Sequence, residues 1–138
     1  MIVLDCSAAT EVVLGTARGK ELREHIRSAD RVVAPCLFRV EIHNVFWKYV
    51  HAGLLDLDAA SGYIEGAIQL VNEFVPTAEN ESEAFREAVR LNHSVYDMMY
   101  FTLARRNACV LLTTDKKLAC LAEEQGVRCA TGDVAAEA

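Results

Sequence analysis

Five short runs, "MIVL", "RVVAP", "EFVP", "ACVLLTT" and "VRCAT", are apolar nearly throughout and are separated along the chain by segments of helical length. Strands exposed on one face alternate polar with apolar residues, whereas strands covered on both faces read as continuous apolar runs. Between the runs, "CLFRVEIHNVFWKYVHAG" places Phe38, Ile42, Val45, Phe46 and Tyr49 on one side of a 3.6-residue period, with Gly53 as a stop. "ARGKELREHIRSA" reads as an exposed amphipathic helix, and "LDAASGYIEGAIQLVNE" as a helix weakened by Gly62 and Gly66. "ESEAFREAVRLN", "SVYDMMYFTLARRN" and "DKKLACLAEEQG" supply three more. The alternation predicts an α/β fold: a single domain built on a parallel sheet with helices on both faces. At 138 residues the chain is long enough for one sizeable core. The domain is expected to span 1–132, followed by a short acidic, Ala-rich tail at 133–138 that should be frayed.

Composition removes several classes of function. No run approaches the roughly 18 apolar residues of a membrane span and no charged-then-apolar leader is present, so a cytoplasmic protein without membrane association is expected. Five scattered cysteines, none at CxxC spacing, read as small buried hydrophobes, and the four histidines form no HxxxH pair, which argues against zinc and disulfides. Net charge is −6, from 14 basic and 20 acidic residues. That balance speaks against unaided binding of nucleic acid but permits a nucleic-acid enzyme whose cations are metal ions.

In an open parallel sheet, function gathers beyond the carboxyl ends of the strands. The first strand runs into Asp5 and Ser7, and the fourth into Thr113, Thr114 and Asp115. Glu41 lies at the border of the apolar stripe of its helix, beside Phe38 and Val45 and on a ridge with Asn44 and Lys48, so that it is half turned to water. Asp97 ends "SVYD", a capping-box spacing from Ser94. Each acid has an ordinary explanation, as a cap or a boundary residue. Together, two strand-end aspartates, a helix-border glutamate and a first-turn aspartate form the donor set that a hard divalent cation requires, with Ser7 and Thr113 as hydroxyls orienting the carboxylates.

"IVLDCSA", "FRVEIHNVFWK", "SVYDMMYFTLAR" and "LLTTDKKL", in this order and at these separations, resemble the PIN-domain family of metal-dependent ribonucleases, and within it the VapC-type toxins of bacterial toxin–antitoxin pairs. The resemblance implies a five-stranded parallel sheet in which the first and fourth strands are neighbours, so that Asp5 and Asp115 face each other. It further implies Mg2+, with Mn2+ as substitute, a homodimer, a cognate antitoxin protein, and cleavage of RNA by an activated water. Asp5, Asp97 and Asp115 would bind the ion, while Glu41 would bind a second ion or orient the nucleophile. Rival readings are an aspartyl phosphatase, which wants an acid where Ser7 stands, and a receiver domain, which wants its aspartate on a middle strand. A non-catalytic binding module and a housekeeping nuclease without an antitoxin are two more. Val12, Val13, Leu22 and Ile26 on the early helices are expected either to form an exposed groove for an antitoxin segment or to pack inward.

Overall fold

A computed structural model of the chain describes residues 1–133; the expected frayed tail, apart from Asp133, lies outside the described residues. Asp133 itself is paired with Arg18, Nη2 to Oδ1 at 2.7 Å. The strands are β1 (Ile2–Leu4), β2 (Val32–Pro35), β3 (Glu73–Val75), β4 (Val110–Leu112) and β5 (Cys129–Ala130). They form one parallel sheet in the order β3-β2-β1-β4-β5. Seven helices connect them: α1 (Cys6–Leu14), α2 (Ala17–Ser28), α3 (Leu37–His51), α4 (Leu57–Gln69), α5 (Glu81–Leu91), α6 (Val95–Arg106) and α7 (Lys116–Glu124). A short 3-10 turn, Thr77–Glu79, precedes α5.

The expected elements are all present, with strands shorter than their apolar runs. The run "ACVLLTT" yields only three paired residues, because Ala108 turns the chain out of α6 with φ of 48° and the two threonines already lie beyond the sheet. Order reverses at β1, which pairs with β2 on one side and β4 on the other. Leu4 and Leu112 are register partners, so the carboxyl ends of β1 and β4 finish side by side. The Asp5 N–H continues the ladder by one bond to the Leu112 carbonyl, at 3.1 Å.

The core follows from the apolar stripes. Val3, Leu4, Leu111 and Leu112 are fully buried, as are Phe38, Ile42 and Phe46 along α3. Helix α6 is the most deeply placed: Met98 through Ala104 are buried without a break, and the helix lies across β2, β1 and β4.

One open alternative is decided and one expectation is corrected. Val12 and Leu22 are buried and Val13 and Ile26 are partly buried against the same core, so inward packing is the alternative that holds for these four. Gly19 lets α1 and α2 approach closely, and Val13 lies beside Gly66 of α4. Of the five cysteines only Cys6 is buried, and Cys120 on the outer side of α7 is exposed.

Helix α4 runs unbroken through Gly62 and Gly66. Gly62 is exposed, and a Cβ added there would meet nothing within 4 Å. Gly62→Ala is therefore expected to stabilise the protein by about 0.5–1 kcal/mol, read as a higher urea midpoint at unchanged slope.

Candidate active site

Asp5 is the first residue beyond β1 and the N-cap of α1, with extended backbone. Its Oδ1 accepts from the Ala8 N–H at 3.0 Å and from the Ser7 hydroxyl at 2.7 Å. The capping explanation is thus correct as geometry, but it is incomplete. A cap uses one oxygen and normally stands in water, whereas Asp5 is only 6 % exposed. Desolvation pushes its pKa up from 3.8 to about 6, against the pull of the Thr113 hydroxyl, the Ala8 N–H and the Ser7 hydroxyl, and the nearby negative charge of Asp97 adds to the rise.

The end of β4 is stitched to the end of β1 through hydroxyls. Ser7 Oγ accepts from the Thr114 N–H at 3.0 Å and lies 3.3 Å from Thr113 Oγ1. Ser7 has one proton and gives it to Asp5, so Thr113 is the donor whenever the two hydroxyls bond, and the same Thr113 proton can turn instead to the Asp5 carboxylate, whose charge it favours. Thr113 Oγ1 in turn accepts from the Asp115 N–H at 3.1 Å. Ser7 and Thr113 therefore hold the two aspartate-bearing strand ends in fixed relation. Asp115 itself caps α7, its Oδ1 accepting from the N–H groups of Lys117 and Leu118.

The other two acids arrive on helices. Glu41, on the second turn of α3, is half-buried as the helical wheel predicts, and its Oε1 accepts from the Tyr100 hydroxyl at 2.6 Å. Burial raises the Glu41 pKa, Tyr100 lowers it, and Asp97 raises it further. Tyr100 stays protonated, because burial and the neighbouring Cys6 and Glu41 push its phenol far up. Cys6 Sγ lies 3.6 Å from the same hydroxyl. Asp97 stands in the first turn of α6, where Ser94 caps the helix by accepting the Asp97 N–H. The reciprocal half of a capping box is missing: Asp97 Oδ2 is instead 2.8 Å from His93 Nε2. His93 is aimed by Asn92, whose left-handed backbone at φ 52° ends α5.

Asp97 is thus close enough for its charge to be felt at both Asp5 and Glu41, and Asp115 joins Asp5 through the hydroxyl chain. Among the described residues, no three His, Cys, Asp or Glu side chains close on one point as a finished cage. The donor set nevertheless suits a hard cation: all its acids are carboxylates, one of them is desolvated, and like charges raise two of them. Tyr100 and His93 were not singled out from the sequence. The one available signal was nearness to Asp97 in the chain: Tyr100 three residues later in α6, and His93 four residues earlier, ahead of the Ser94 cap.

Comparisons with known proteins bear on the family and the fold. The family profile described as PIN domain matches residues 2–124. Ribonuclease VapC3 of Pyrobaculum aerophilum is 29% identical over 120 residues, covering 86% of this chain and 92% of the relative. Ribonuclease VapC12 of Mycobacterium tuberculosis is 30% identical over 119 residues, covering 86% and 90%. The crystal structure of PAE2754 from Pyrobaculum aerophilum superposes with a TM-score of 0.70 at 22% identity, over 93% of this chain and 89% of that one, and shares the fold.

Proposed function

The chain belongs to the PIN-domain family, among VapC-type relatives, and from that premise we propose that it is a metal-dependent endoribonuclease, the toxin of a type II toxin–antitoxin pair. The observation that carries the reading is the register of β1 and β4, which sets Asp5, a desolvated carboxylate, beside the Thr113–Asp115 turn. A scaffold that needed only helix caps would not bury one of them.

Asp5, Asp97 and Asp115 would hold Mg2+ or Mn2+, with Glu41 facing the same space. A bound divalent ion supplies an acidified water and neutralises charge on the phosphate oxygens. The remaining work belongs to the chain. Ser7 and the Ala8 N–H fix the rotamer of Asp5 through its Oδ1, with Thr113 beside Ser7, so that Oδ2 would face the ion. His93 holds Oδ2 of Asp97, so that the carboxylate presents its other oxygen. Tyr100 occupies Oε1 of Glu41, so that Oε2 is the oxygen free to take a proton from the attacking water. The raised Glu41 pKa suits it to that role. Water then forms the new P–O bond as the opposite P–O bond breaks in line.

No helix among the described residues is long and apolar enough to cross a membrane. The reading is completed by a cytoplasmic setting, a homodimer, a cognate antitoxin as protein partner and RNA as substrate. The purified protein is expected to cut single-stranded RNA in Mg2+ or Mn2+ and to stop when the ion is chelated. Undiminished cutting in excess chelator would overturn the metal-dependent reading, and RNA bound but never cut would favour the binding module. Copurification with the product of a neighbouring reading frame separates a toxin from a housekeeping nuclease.

A further inference from the structure

Beside Glu41 the surface opens into a groove of about 570 Å³ between the outer side of α3 and the first turn of α6. Leu37, Val40 and Val45 line it, Tyr96 forms its far wall, and Lys48 stands with Glu41 among the polar groups that border it. Tyr96 is 65 % exposed and Val40 74 %, so neither contributes its apolar surface to the core. Single exposed apolar residues are common, but here an aromatic and an aliphatic side chain line one concavity.

We propose that this groove receives a nucleobase of the single-stranded substrate, the base flanking the scissile phosphodiester, and that Tyr96 is the surface on which it stacks. The inference rests on the ribonuclease reading and deepens it. Two observations lead to the base as occupant. The groove is continuous with the acids: Glu41 is one of its lining residues, and Tyr96 immediately precedes Asp97 in the chain, so an occupant lies against Glu41 and beside the helix turn that carries Asp97. Charge then limits how the substrate can be held. With a net charge of −6, the chain gains little affinity from phosphate contacts, and Lys48 is the single cation lining the groove. Stacking on an aromatic face works without positive charge and accepts any base. Apolar walls for the ring faces and polar groups for the ring edge match a base better than they match a sugar or a phosphate.

The test is a coupling measurement on the intact, metal-loaded protein. A short oligoribonucleotide carrying one mapped cleavage site is compared with the same strand made abasic at each position flanking the cut, using wild type, Tyr96→Ala and Tyr96→Phe. Tyr96→Ala is expected to lower kcat/KM about ten- to hundred-fold on the intact strand, chiefly through KM, and Tyr96→Phe to restore it to within about two-fold. Removing one flanking base should cost wild type a similar factor but cost Tyr96→Ala less than about three-fold. The stabilisation given by Mn2+ should be equal in all three proteins, which excludes a general structural defect. Equal losses from the abasic change in wild type and Tyr96→Ala would overturn the proposal. So would full activity of Tyr96→Ala, and if that variant had instead lost its hold on a protein partner, the groove would be a protein dock. A wild type that cuts no RNA overturns the ribonuclease reading and this inference with it, whereas failure of the stacking alone leaves wild type active.

Discussion

Asp5→Asn is expected to give a protein that is inactive and, without metal, more stable than its parent above neutral pH. The folded pKa of Asp5, about 6, lies above its unfolded value of 3.8, so the folded state binds the proton more tightly. The contribution of Asp5 to stability is therefore fully present below about pH 3.8 and is lost as pH rises through about 6. At pH 8 the deficit amounts to about 3 kcal/mol, at 1.36 kcal/mol per unit. Asn is neutral at every pH and keeps an oxygen for Ala8 and Ser7, so the cap survives. The variant should gain up to about 3 kcal/mol over wild type at pH 8 and only about 0.5 kcal/mol at pH 4. Manganese closes most of the gap: wild type should gain about 2.7 kcal/mol at one hundred times Kd, while the variant gains much less. RNA cleavage should fall at least about 100-fold, since even groups that merely support a metal ligand cost 10–100-fold when removed. Urea unfolding of both proteins at pH 4, 6 and 8, with and without Mn2+, is the measurement. A difference between them that ignores both pH and metal would leave Asp5 as a helix cap.

Gly19→Ala is expected to be among the most damaging single substitutions outside the site. A Cβ on Gly19 would stand 1.9 Å from the Glu11 carbonyl oxygen, 2.4 Å from its carbon and 2.9 Å from the Val12 Cα. All three are backbone atoms of α1, so no rotamer change relieves the clash and the two helices must separate. Separation would uncover Val12 and Leu22, which are buried at that contact. Overpacking usually costs 1–3 kcal/mol, and a collision with backbone lies at or above the upper end, so a loss of about 3 kcal/mol or more is expected. Unfolding by denaturant checks it against Gly62→Ala, the same change where space is open. A loss below about 1 kcal/mol would show that α1 and α2 slide apart freely.

The contrast between these two glycines shows what a sequence carries and what it does not. Gly62 and Gly66 attract notice because they interrupt a helical pattern, which is a local property, yet α4 tolerates both. Gly19 opens a charged segment without disturbing its period, and its importance arises only when a second helix comes to rest on it. The same division runs through the site. Strand ends are visible as breaks in apolar runs, so Asp5 and Asp115 were legible, and the half-buried border position of Glu41 followed from its helical wheel. The adjacency of β1 and β4 came from family resemblance and not from the runs themselves. The partners of the acids, Tyr100 for Glu41 and His93 for Asp97, were not legible, because hydrogen bonds between elements leave no periodic trace. Nor was the orientation of Asp115, whose carboxylate turns into the first turn of its own helix.

Helix α6 carries Asp97 and Tyr100 at the start of an unbroken buried stretch that lies over three strands. Such a segment opens to solvent only when the whole domain does, so its amide protons should exchange at the rate of global unfolding. Two of the groups that define the site therefore ride on the slowest-breathing part of the molecule. Thermal loss of function and loss of fold should then coincide at one temperature, with no inactive folded form between them.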